Sequence, residues 1–264
     1  MDDKVYNVLS VNHLDHLSCI MPEDCNVPKA GAEMFRKVCG KPDKMYYVIG
    51  PMIGTDPPPL EECITAVGRT EGIPVVFVAD NKDEEPNILS FYPIGIPLES
   101  VEPLTERIDL SECDNKIDAY GSIACEQYIT CFLVGYPRII LNKDFDPRKS
   151  YPIDLIGYAY NCKTVHDDFQ GDTQASGISE SFIQRNFKYP DEFSFCSRVY
   201  DLDEIEVFGV PMYRIKVLLG KSASMDGANK FMTLYAKRNF FEEPLKKGDL
   251  LHGTGWLQGY VRGF

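Results

Sequence analysis

Beyond residue 95 the sequence holds no long stretch of helical periodicity; its apolar residues fall in short blocks or alternate. Alternation with period two puts every second side chain on one face of an extended strand, so this part of the chain is expected to build sheets. Gln127–Leu141, Met212–Leu219 and Phe231–Ala236 are the clearest stretches of this kind. Fifteen Tyr and fifteen Phe supply the large rings that favour half-buried strands and sizeable cores.

Residues 1–95 read differently, as a mixed α/β unit. Val5–Val11 and Met45–Ile49 are short strand patterns. Between them Ala30, Met34 and Val38 recur at helical spacing, with Pro28 ahead and Gly40 and Pro42 as stop signals, which predicts a helix over Ala30–Cys39. Three prolines at 57–59 lead into Leu60, and Glu61 and Glu62 would sit in a first helical turn, where the dipole favours anions. A second helix is therefore predicted from Leu60 to Arg69. Gly72-Ile73-Pro74 breaks it, and strands follow at Pro74–Ala79 and Asn87–Tyr92.

The expected class is α+β, in four parts. The mixed unit at 1–95 is followed by a β-rich module at 96–165. A polar loop with a short helix, Ser179–Phe187, occupies 166–190, and a second β-rich module fills 191–264. Each module would be a barrel or a sandwich, which hides strand edges. Lys116–Gly121 echoes Glu204–Gly209 at an offset of 88 residues, and Asp154–Gly157 echoes Asp249–Gly253. Duplication of one β-plan and chance likeness between strand-rich segments both explain the echo. Pro244-Leu245-Lys246-Lys247-Gly248-Asp249-Leu250-Leu251, a Gly-Asp turn feeding an apolar strand, resembles the strand starts of small closed barrels, OB-type folds included. That resemblance is architectural and implies no ligand.

Charge narrows the partners. Forty acidic against 27 basic residues give −13, which opposes a generic phosphate-binding surface and suits a basic protein partner. The start, Met1-Asp2-Asp3-Lys4, lacks the basic and apolar character of a secretory signal. No window offers the roughly 20 apolar residues of a membrane span. Nine cysteines at irregular spacing, without CxxC pairs, read as reduced and buried. A cytoplasmic location is the expectation.

Four clusters could carry chemistry. His13, His16, Cys19 and Cys25 hold the ligand types that zinc prefers, but in no standard zinc spacing; the competing expectation is a turn that packs Leu14, Leu17 and Ile20 inward. His166, Asp167 and Asp168 could supply a base with orienting carboxylates, or with Asp172 a hard-cation site, inside the long polar loop 164–177. Solvated loop charges are the plainer account of them. Trp256 and Tyr260 share one face of a strand, and that face either stacks a ligand or partner or fills the core. Gly220-Lys221-Ser222 lacks the earlier Gly of a P-loop, Gly177–Ser181 misses the nucleophile elbow, and no GxGxxG follows the first strand. No cofactor is expected.

The functional expectation is a non-catalytic cytosolic binding or interaction protein, with a basic protein as partner. An OB-like nucleic-acid binder is the first alternative. A hydrolytic or metal-dependent enzyme centred on the 164–177 loop is the second.

Overall fold

Ile153–Ala159 carries bulky residues at odd and even positions alike, and such a strand must be covered on both faces. In the computed structural model every residue of this run is buried. The structure describes residues 16–26, 30–31, 33–34, 63–69, 73–80, 88–113, 118–124, 128–165, 180–184, 189–221 and 228–264. These residues are mostly strand, arranged as one three-stranded and one ten-stranded sheet.

The smaller sheet is an antiparallel meander of β1 (Cys63–Arg69), β2 (Pro74–Asp80) and β3 (Ile88–Pro93). β1 corrects the helix expected over 60–69. Its residues pair with β2 at seven consecutive positions, from Cys63↔Asp80 to Arg69↔Pro74. Ile64, Thr65 and Val67 are β-branched, and a ready partner strand outweighs the local helix-start signal of Glu61 and Glu62. The helical pattern from Ala30 does appear at residues 30, 31, 33 and 34.

The larger sheet runs through β4 (Leu104–Glu112), β5 (Ala119–Ala124), β6 (Tyr128–Leu133), β7 (Ser150–Thr164), β8 (Ser181–Gln184), β9 (Glu192–Arg198), β10 (Asp201–Val207), β11 (Val210–Lys221), β12 (Asn229–Lys237) and β13 (Leu250–Val261). One short helix, α1 (Tyr136–Ile140), links β6 to β7. β8 corrects the helix expected over 179–187. It pairs with β9 from Ser181↔Cys196 to Gln184↔Phe193, and Phe182 is buried with its ring 4.7 Å from that of Phe193.

The stretches 96–165 and 191–264 share a sheet. β7 and β13 run antiparallel through eleven register positions, from Leu251↔Thr164 to Val261↔Ile153, with an irregularity at Thr254/Gly255. At that irregularity the backbones touch: a Cβ on Gly255 would lie 2.3 Å from the Tyr158 carbonyl oxygen, so only glycine fits. The two halves are wired alike. β4 pairs antiparallel with the first part of β7, and β9 with the first part of β13. β6 runs parallel to β13, and β12 parallel to β7. Pairings β4–β5, β5–β6, β6–β13, β13–β7 and β7–β4 close a ring, which removes the free edges of that half. In the other half β10 turns into β11 through Phe208 and Gly209, both at positive φ (53° and 76°), as a two-residue hairpin requires.

The alternation along β7 and β13 divides two cores. Ile156, Tyr158 and Trp256 face the first, shared with β2, β3 and the turn Leu17–Met21. Leu155, Ala159, Leu251 and Leu257 face the second, enclosed by the large sheet. Among the described residues no helix is long and apolar enough to cross a membrane.

Candidate binding site

The turn at residues 16–21 reaches the first core because Leu17, Ile20 and Met21 are each at most 1% exposed. It carries two of the four candidate metal ligands onto the face of Trp256. The His16 imidazole lies nearly parallel to Trp256 (5.2 Å between centroids, 22°) and to Tyr160 (5.6 Å, 18°), with Tyr189 edge-on at 4.8 Å. Tyr160 donates its hydroxyl proton to Glu192 at 3.2 Å. A hydroxyl has one proton, so the hydrogen bond between Tyr160 and His16 Nδ1 is donated by the imidazole. Trp256 Nε1–H donates to Cys19 Sγ at 3.4 Å, and the Cys19 thiol donates to the His16 carbonyl at 2.8 Å. The buried Lys237 ammonium ties the turn down by donating to the carbonyls of Ser18 (3.2 Å) and Met21 (2.9 Å).

Burial keeps the His16 and Cys19 side chains neutral. Burial pulls His16 down to about 4 and pushes the Cys19 thiol up to about 12, outweighing the Trp256 N–H and Lys237. A thiol held protonated is a poor nucleophile. Burial and then the charges of Glu192 and Asp191 raise the Tyr160 phenol. Among the described residues no group of three His, Cys, Asp or Glu is placed to hold a metal ion. Cys25 packs partly buried against the first core, and His13 lies outside the described residues. Trp256 and Tyr260 do share a face of β13, but it is the core face. Trp256 is fully buried, whereas Tyr260 is half-buried with its hydroxyl donating to the Phe264 carbonyl at 3.5 Å. No outward stacking surface forms on Trp256.

One carboxylate was not singled out by sequence. Asp191, just before β9, is fully buried, and its carbonyl accepts from Leu257 N–H at 3.0 Å where β9 hands over to β6 along β13. Burial pushes it up to about 7. Only tertiary structure could reveal this, since Tyr-Pro-Asp-Glu reads locally as a solvated turn.

A cleft of about 540 Å³ opens at the far end of the shared strand pair. Lys163, Thr164 and Val165 form one side as β7 gives way to the long loop; Arg198 ends β9; Phe240–Pro244, Lys246 and Gly248–Leu250 supply the rest. Its rim is latched by backbone bonds. Val165 N–H donates to the Leu250 carbonyl (2.8 Å), Val199 N–H to that of Asp249 (2.9 Å) and Gly248 N–H to that of Val199 (2.8 Å). Gly248, at φ 93°, permits the tight turn. The cleft thus borders the start of the 164–177 loop, while His166, Asp167, Asp168 and Asp172 lie outside the described residues. The sequence marked Pro244–Leu251 only as a strand start. Its charge-dense approach, Glu242-Glu243 and Lys246-Lys247, was the available hint that this turn also forms a polar wall.

Comparison with protein-family models, with curated proteins and with solved structures finds no match for the chain.

Proposed function

We propose that this chain is a binding protein without chemistry of its own, and that it seats a small ligand in the cleft between the end of β7 and the start of β13. The observation that carries this reading is the cleft itself, whose volume lies in the usual range of ligand sites, about 300–1,000 Å³. Its wall is polar and charged, and its rim is fixed by main-chain hydrogen bonds rather than by long side chains. The buried cluster argues against catalysis at the other sequence candidate: His16 and Cys19 are both neutral at pH 7 and are occupied by Tyr160, Trp256 and main chain. The test is a ¹H–¹⁵N spectrum of the full chain titrated separately with acetate, phosphate, ethylammonium and phenylalanine. Saturable shifts confined to Lys163–Val165, Arg198 and Glu242–Leu250 are expected from at least one probe. No shift there from any of them would overturn the reading.

The net charge of −13 favours a second kind of partner, a basic protein meeting the acidic surface. Association with such a partner is expected to slow steeply between low and physiological salt, because exposed charges are screened over about 8 Å at 0.15 M. Stopped-flow mixing with a lysine-rich protein measures this directly, and a salt-independent on-rate would remove the charge argument.

A further inference from the structure

The charges lining the cleft are mostly solvent-exposed and fall into two sets of opposite sign. Among the described residues Lys163 and Lys246 form no ion pair, and the Arg198 guanidinium donates to the Gly248 carbonyl at 3.2 Å while the Glu180 carboxylate accepts from the Arg198 main-chain N–H at 2.6 Å. Glu242 and Glu243 likewise have no cationic partner among the described residues. Lys247 pairs with Asp201 at 2.7 Å, and the Asp249 carboxylate, a third on the lining, accepts from the Lys246 main-chain N–H at 2.9 Å. Phe240 and Phe241 are half-buried and present ring surface to the same space. Phe241 is held by an edge contact to Tyr213 at 5.8 Å, so its ring is a fixed wall.

We infer that the cleft recognises a zwitterion with an apolar or aromatic body, the chemistry shared by an amino acid and a short peptide. This deepens, and rests on, the reading of the cleft as the ligand seat. A simple anion would meet Lys163, Arg198 and Lys246 but also three carboxylates, and a simple cation would meet the reverse. A molecule with both charges satisfies both sets through charge-assisted hydrogen bonds and lays its body against Phe240 and Phe241. The cleft rejects molecules of single sign by leaving one of its own sets opposed, a repulsive element as specific as the attraction.

The experiment compares L-phenylalanine and phenylalanyl-phenylalanine with 3-phenylpropanoate, 2-phenylethylamine and glycine, by spectral titration of the full chain. Both zwitterions with rings are expected to give saturable shifts at the cleft, the tighter one identifying amino acid or peptide. Each compound lacking a charge or the ring is expected to bind at least about tenfold more weakly. The surface double substitutions Lys163→Gln/Lys246→Gln and Glu242→Gln/Glu243→Gln should each weaken the zwitterion about tenfold and leave the rest of the spectrum in place. If 3-phenylpropanoate or 2-phenylethylamine binds within about threefold of the zwitterions, the zwitterion inference falls while the cleft remains a ligand seat. If none of the compounds, nor the acetate, phosphate and ethylammonium probes, perturbs the cleft, both fall.

Discussion

Trp256→Ala is expected to lower the free energy of unfolding by about 4 kcal/mol, the middle of the range for deleting a buried aromatic ring. The indole is fully buried in the first core. It stacks on Tyr158 at 5.0 Å and on His16 at 5.2 Å, and donates to Cys19 Sγ. Its loss would open a cavity between the turn at 16–21 and the strand pair β7–β13, and neither wall can collapse. Tyr158 is fixed by its neighbour Tyr235 (5.2 Å between centroids), and the turn is fixed by Lys237. Trp256→Phe keeps a ring and loses the N–H, and should cost about half as much. Urea titration by linear extrapolation reads both. A loss below about 1 kcal/mol for the alanine variant would show that the ring does not fill this core.

The second large effect concerns pH, where two buried groups act in opposite directions. Asp191 rises from 3.8 to about 7 because burial disfavours its charge. The native state therefore holds its proton where the unfolded chain has released it. Stability from this group is complete below pH 3.8 and is lost as pH climbs through 7. At about 1.4 kcal/mol per unit the loss is roughly 4 kcal/mol. His16 falls from 6.5 to about 4, again through burial, among Tyr160, Glu192, Tyr189, Trp256 and Cys19. Its contribution is complete above 6.5 and is lost as pH falls through 4, by roughly 3 kcal/mol.

Between pH 4 and 6.5 the two slopes nearly cancel. Asp146 and Asp201, both lowered to about 2 by their cationic partners, titrate below this window. Single substitutions should therefore unmask what the native protein hides. Asp191→Asn is expected to be more stable than the native chain at pH 8 and to weaken on acidification from 6.5 to 4. His16→Phe is expected to weaken as pH rises from 4 to 7. Urea midpoints at pH 4.5, 6 and 8 decide it; parallel profiles for the two variants would contradict the account.

What could be read from the sequence was the alternation, and hence the sheets. The stretches flagged as strands beyond residue 95 became β6, β11 and β12, except that the later part of Gln127–Leu141 folds as the helix α1, and Pro74–Ala79 became β2. The two helices replaced by β1 and β8 failed for one physical reason: local start signals are worth tenths to about 1 kcal/mol, and pairing with an adjacent strand outweighs them. The internal echoes were informative unequally. Asp154–Gly157 and Leu250–Gly253 lie in β7 and β13, which hold matching places in the two halves. Ala119–Gly121 opens β5, whereas Glu204–Val207 closes β10, so that echo joins strands on opposite sides of a hairpin. The pairing of β7 with β13 joins residues nearly a hundred positions apart, and no local pattern encodes it. The cleft and the buried Asp191 both depend on that pairing, which is why neither could be placed from the chain alone.

Amide hydrogen exchange along β7 and β13 tests the central claim most directly, because everything else is arranged around that pair. The account predicts that the amides of Ile153–Ala159 and Gly255–Val261 are among the slowest to exchange and open together, in one cooperative step with the global unfolding free energy. Fast or independent exchange of one strand while the other stays protected would mean that the two halves do not share a sheet, and the cleft at its end would lose its frame.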